Sequence, residues 1–251
     1  MTLSHTSPEP SRDITVVVGV SGGVGRALAS ALLRRHPDTR LVGVGRRPPA
    51  PPLEAPDSVF LDADITREDD VARAAEAIDG LGAPSRIVIA TGLLHAPDLA
   101  PERALRDIRP EALARLFAVN TIGPALIAKH LAPRMPRDRP ALIAALSARV
   151  GSLSDNRLGG WYGYRASKAA LNMMIATLAV ELRRTHPLAF CVALHPGTVS
   201  TPLSAPFVAG RTGRKTLTPD QSAQALVAVM DSLGPADSGR LLAWDGAPIA
   251  W

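Results

Sequence analysis

Ile14-Thr15-Val16-Val17-Val18-Gly19-Val20-Ser21-Gly22-Gly23-Val24-Gly25-Arg26, continuing into Ala27-Leu28-Ala29-Ser30-Ala31-Leu32-Leu33, is the stretch that decides the fold. A β-branched run enters a glycine-rich turn and leaves it in an apolar pattern of helical period. Strand, loop and helix thus follow one another in the order of a dinucleotide site. Glycine permits a sharp backbone turn and lets a pyrophosphate reach the first helical N–H groups, where the helix dipole also favours negative charge. Turns are glycine-rich in general, so the informative detail is the spacing Gly19, Gly23, Gly25.

Outward from this unit the same alternation repeats. Strand patterns lie near 14–19, 40–45, 57–61, 85–90, 141–147, 188–194 and 239–243; helical patterns lie near 24–35, 66–78, 110–133, 160–184 and 218–232, with a weaker one near 100–107. Such alternation predicts an α/β fold, a doubly wound parallel sheet covered by helices on both faces in three layers, with ligands at the carboxyl ends of the strands. A length of 251 residues and 46% hydrophobic residues fit one domain over 13–251, preceded by a polar, proline-containing leader at 1–12. No run of about 20 apolar residues is read, so no membrane span is expected.

The net charge of +5 does not point to nucleic acid, because the basic residues are scattered and aromatics make up only 4% of the chain. A single cysteine, Cys191, falls in a predicted central strand. It cannot form an intramolecular disulfide, and a reducing cytoplasm is the expected home. His95 and His195 lack an acidic partner motif, so no metal site is expected.

The chain has two tyrosines and three lysines, and one of each falls in Tyr164-Arg165-Ala166-Ser167-Lys168. Residues four apart share a helix face, so phenol and ammonium can converge. A free phenol, with a pKa of about 10, is a poor acid or base near neutrality, and a nearby cation lowers that value. Tyr162 has Ala166 at the same offset and cannot compete.

With Gly19-x-x-x-Gly23-x-Gly25 and Tyr164-x-x-x-Lys168 in place, the chain resembles the short-chain dehydrogenase/reductase family, with its Rossmann fold, from about Asp13 onward. The resemblance implies that Tyr164 exchanges a proton with the substrate and that Lys168 holds the nicotinamide ribose and lowers the Tyr164 pKa. Asn120, in Phe117-Ala118-Val119-Asn120, would bind a water linking Lys168 to solvent. It also implies cofactor contacts from Gly19, Ser21, Gly22, Gly23, Val24 and Gly25, from Asp64 and Ile65, from Thr91 and Gly92, and from Pro196, Gly197, Val199 and Thr201, besides Tyr164 and Lys168. Arg46 and Arg47 end the second strand where an acidic residue would select NAD, so NADP is the expected cofactor.

Two departures from the family pattern stand out. Ile89-Ala90-Thr91-Gly92 replaces its N-N-A-G, and the Ser-Ser pair carrying its catalytic serine reads Ser147-Ala148. Ser147 is the first candidate for polarising the carbonyl and Ser152 a competitor; if neither reaches, activity rests on Tyr164 and Lys168 alone. The stretch Ser152–Lys168, the Ala90–His95 run and the ending Trp244–Trp251 are similar to the subgroup of sniffer-type carbonyl reductases and the bacterial C-factor. That likeness implies a carbonyl reductase or alcohol dehydrogenase acting on a small molecule, and it keeps a low-turnover, nucleotide-binding signalling role open. Small and apolar residues on the helices near 110–133 and 160–184 resemble the family's dimer or tetramer interface, and 202–216 lies where the family carries its substrate lid.

Overall fold

The computed structural model describes residues 13–53, 55, 57–208 and 216–251. The leader at 1–12 and the middle of the expected lid, with Gly210 and Gly213, lie outside the described residues. In chain order the strands are β1 (Ile14–Val18), β2 (Arg40–Gly45), β3 (Val59–Asp62), β4 (Pro84–Ile89), β5 (Ala141–Leu146), β6 (Ala189–His195), β7 (Thr198–Val199), β8 (Thr216–Leu217) and β9 (Leu241–Ala243). The helices are α1 (Gly23–Arg35), α2 (Glu68–Asp79), α3 (Pro110–Phe117), α4 (Gly123–Leu131), α5 (Tyr162–Thr185), α6 (Ala205–Val208) and α7 (Pro219–Ser232).

Seven strands form one sheet in the order β3-β2-β1-β4-β5-β6-β9, and every pairing is parallel. β1 is buried along its whole length. A parallel strand covered on both faces reads as a continuous apolar run, which is why ITVVV shows no polar alternation. Its side chains still divide with period two. Val16 and Val18 enter a core with Val71 and Ile78 of α2, Ile127 of α4 and Leu171 of α5, whereas Val17 faces Leu28 and Leu32 of α1 and Leu226 of α7. The strand order reverses between β1 and β4, and the crevice at their carboxyl ends is where such a sheet binds ligands.

The helix expected over 110–133 is not uniform. α3 and α4 are joined by a π-helical turn, Ala118–Ile122, which carries Asn120. By length and composition alone Pro110–Arg134 is apolar enough to cross a membrane. In the fold its Leu116, Ile127 and Leu131 are fully buried. The weak helical pattern near 100–107 is reduced to the 3-10 turn Leu105–Asp107. Asp107 Oδ2 accepts the N–H groups of Arg103 and Ala104 and closes that turn locally.

Candidate active site

After β1 the chain turns at Gly19, whose φ of +85° is left-handed, and Gly22 N–H returns to Gly19 O at 3.0 Å. A Cβ on Gly25 would stand 2.2 Å from Gly19 O, so α1 approaches the turn at a distance only glycine permits. α1 starts with no side-chain cap and no acidic residue in its first turn. Its N-terminal N–H groups are thereby left for an anion. Around this cradle the separate motifs meet: a Cβ at Gly23 would lie 3.0 Å from Thr201 Cγ2, one at Gly19 would lie 3.0 Å from Thr91 Cγ2, and one at Gly45 would lie 3.8 Å from Ser21 Oγ. The Thr91 hydroxyl is buried without a partner. Arg46 and Arg47 are exposed just beyond β2.

On the other side, α5 carries Tyr164 and Lys168 one turn apart, both buried. Lys168 Nζ donates to Leu146 O at 2.8 Å, and a Cβ on Gly92 would lie 3.8 Å from that same nitrogen. Burial raises the Tyr164 phenol to about 12 and lowers Lys168 to about 7. The expectation that Lys168 holds the phenol below its ordinary value is therefore corrected here: desolvation dominates, and the ammonium is bonded to a carbonyl.

The polar residues around this pair are tied into the protein. Ser147 Oγ donates to Asn172 Oδ1 at 2.6 Å, and Asn172 Nδ2 donates to Gly151 O at 3.3 Å. Ser152 Oγ accepts the Asp155 N–H at 3.1 Å. The Ser147 hydroxyl is thus tied to α5 and that of Ser152 to the loop after β5, and the buried residue packed with Tyr164 and Leu94 is Ala148. Asn120 accepts Leu93 N–H at 2.8 Å and donates to Leu93 O at 2.8 Å and to Ser167 Oγ at 3.0 Å. Its amide brackets the turn after β4. Asp64 Oδ1 accepts from Thr66 N–H and hydroxyl, Ile65 fills the space above Gly123, and Pro196 O accepts from Ser222 Oγ. Val199 is buried, and Gly197 has a left-handed φ of +81°.

Aromatic rings wall the outer side. Trp161 lies edge-on to Tyr164 at 6.2 Å and to Phe207 at 5.0 Å, and His95 is edge-on to Phe207 at 5.6 Å. Burial lowers His195 to about 4 and raises the Cys191 thiol to about 11, which keeps the first neutral and the second unreactive.

Residues 13–212 match the short chain dehydrogenase family. The chain belongs to that family. It is 35% identical over 149 residues to the C-signal of Myxococcus xanthus, covering 59% of this chain and 84% of that protein. Among solved structures it superposes on an NADPH-bound carbonyl reductase from chicken fatty liver with a TM-score of 0.80 at 25% identity, covering 96% of this chain and 99% of the other. It superposes equally on the carbonyl reductase Sniffer of D. melanogaster, with a TM-score of 0.80 at 25% identity over 96% and 100% of the two chains. The resemblance to the sniffer and C-factor subgroup therefore holds, and the chain is an oxidoreductase by family.

Ala148 places an apolar side chain in one buried cluster with Tyr164 and Leu94, directly after Ser147. Asn172 is the partner that sequence reasoning missed. It extends the series Tyr164, Lys168 by one further step of four, so the helical repeat alone could have found it.

Proposed function

We propose that this dehydrogenase moves a hydride between NADP and a carbonyl or alcohol substrate, with Tyr164 as the proton-exchanging group. The observation that carries the reading is the buried Tyr164, one helical turn from Lys168, beside the turn that continues from the glycine cradle. When bound, the dinucleotide supplies or accepts the hydride. The residues present fit it: the α1 N–H groups suit its pyrophosphate, the unpartnered Thr91 hydroxyl is free to bond, and Arg46 and Arg47 suit a 2′-phosphate. Asp64 and Ile65 would hold the adenine end, and Pro196, Gly197, Val199 and Thr201 the nicotinamide end.

With a pKa raised to about 12, Tyr164 keeps its proton at neutral pH and acts as a donor to a carbonyl oxygen. Lys168, lowered to about 7, exchanges a proton near neutrality, and in its charged form it stabilises the phenolate left behind. Ser147, whose hydroxyl is held by Asn172 at 2.6 Å, is the first candidate to add a second hydrogen bond to that oxygen and Ser152 the alternative; if neither turns to the substrate, polarisation rests on Tyr164 with Lys168 behind it.

A second reading has its own observation. Ala148 removes a hydrogen-bond donor from the usual position, and the likeness to the C-signal leaves room for slow turnover with nucleotide binding as the principal act. Two further expectations accompany either reading. A groove of about 440 Å³ between α4 and α5, lined by Leu171, Met174 and Leu178 and flanked by exposed Met173 and Val180, supports a homodimer or homotetramer. The buried, free Cys191 suits the cytoplasm.

The test is the loss of NADPH absorbance with a panel of ketones and aldehydes, repeated with NADH. Turnover with NADPH exceeding that with NADH supports the dehydrogenase reading. NADPH binding without turnover of any panel member favours the second reading.

A further inference from the structure

Among the described residues, the most strained backbone around the site is the segment leading into α5. Gly159, Gly160 and Trp161 follow one another with φ of 61°, 64° and 53°, and Trp161 is the non-glycine among the three. A left-handed conformation is unfavourable for a residue with a Cβ, and so bulky a side chain stays there only when its surroundings hold it. The surroundings do so from two sides. Glu102, itself 3% exposed, accepts the Trp161 N–H on its main-chain oxygen at 2.6 Å and the Gly163 N–H on its Oε2 at 3.2 Å. Arg165 donates from Nε to Gly160 O at 2.9 Å and from its two terminal nitrogens to Gly159 O at 3.1 Å and Val150 O at 3.4 Å.

We propose that Glu102 and Arg165 form a hydrogen-bonded clamp that positions Tyr164 for proton transfer, by holding the left-handed turn that starts its helix. Glu102 grips the N–H side and Arg165 the carbonyl side. Gly163 sits at the centre of the grip: a Cβ there would meet Leu116, Leu113 and Glu102 Oε1 at 2.6, 2.8 and 2.9 Å, so the helix start is pressed against α3 with no slack. Tyr164 is the next residue, and the Trp161 ring that packs on it is aimed by the same turn. A phenol in the first turn of a helix inherits any rotation of that turn, and a displacement of about 1 Å in a reacting group costs on the order of 100-fold in rate. Glu102 lies outside every motif of the site and touches no reacting atom, which makes it a positioning residue.

The inference rests on the reading of Tyr164 as the proton donor, so Tyr164→Phe is run alongside. Glu102→Ala and Glu102→Gln are compared by kcat, KM and NADPH affinity, with a ketone or aldehyde that the unmodified protein reduces. Glu102→Ala keeps the main-chain bond to Trp161 N–H and removes only the carboxylate's hold on Gly163 N–H; it is expected to lower kcat by roughly 10- to 100-fold while NADPH affinity stays within about twofold, because the glycine cradle and Lys168 are left in place. Glu102→Gln keeps an oxygen for Gly163 N–H and is expected to recover kcat to within about threefold. If Glu102→Ala does not fold, Arg165→Met opens the same turn from its carbonyl side, and the same fall in kcat at unchanged NADPH affinity is expected of it. An unchanged kcat in the folded variant, or a fall matched by an equal loss of NADPH affinity, overturns the clamp. Loss of activity in Tyr164→Phe with full activity in Glu102→Ala sinks the clamp alone, whereas full activity in Tyr164→Phe sinks the reading beneath it.

Discussion

On the β1 side of the crevice the surface is shaped by backbone meeting backbone, with α1 brought to within 2.2 Å of Gly19 O at the place where a Gly25 Cβ would be. On the α5 side it is shaped by side chains: the Trp161, Phe207 and His95 rings, the methyl of Ala148, and the Glu102 and Arg165 grip. A surface made of N–H groups and glycine turns tolerates little change, because any Cβ fills the space the ligand needs. A surface made of side chains can be altered one residue at a time, and here Ala148 presents a methyl group beside Tyr164. The first side suits a cofactor shared across a family and the second a substrate particular to one member.

The sharpest way to separate the two sides is at Arg46. Arg46→Ala removes a charge-assisted phosphate contact and is expected to weaken NADPH binding roughly 10- to 100-fold, leave NADH binding unchanged and leave kcat at saturating NADPH within about twofold. Fluorescence titration with both cofactors checks it. Equal weakening for the two would show that Arg46 shapes the loop and does not read the phosphate.

What was legible in the sequence follows the same division. The Gly19, Gly23, Gly25 spacing, the seven strands of the sheet and the Tyr164–Lys168 pair all announce themselves locally, through period or residue type, and each stands in the structure where it was expected. The side-chain wall was not legible, because its decisive contacts span long stretches of chain: Glu102 to Gly163, Asn120 to Leu93, Ser147 to Asn172. Ser147 and Ser152 were legible by residue type near the right strand, but their partners Asn172 and Asp155 N–H are set by the fold. The phenol's shift was misjudged for the same reason, since burial is a property of the whole fold and outweighs a cation four residues away.

Lys168 stands at the junction of the two sides and makes a smaller, pH-dependent contribution. Its folded value of about 7 lies below its ordinary 10.5. Between those values the unfolded chain holds the proton that the folded chain has released, so stability rises with pH, by at most about 1.4 kcal/mol per unit. Thermal melts from pH 7 to 9 are expected to show this rise, and Lys168→Met is expected to flatten it. A melt equally steep in the variant would assign the dependence to other groups.

The account depends most on Tyr164 as the proton donor, and one pair of measurements on Tyr164→Phe reaches it directly: NADPH affinity and single-turnover reduction of a confirmed carbonyl substrate, on the same preparation. The phenyl ring preserves the contacts with Ala148 and Trp161 while removing the hydroxyl, so NADPH affinity is expected to stay within about twofold and the rate to fall by about 10²- to 10⁴-fold. An unchanged rate at unchanged affinity would contradict the assignment and move the proton chemistry to another group.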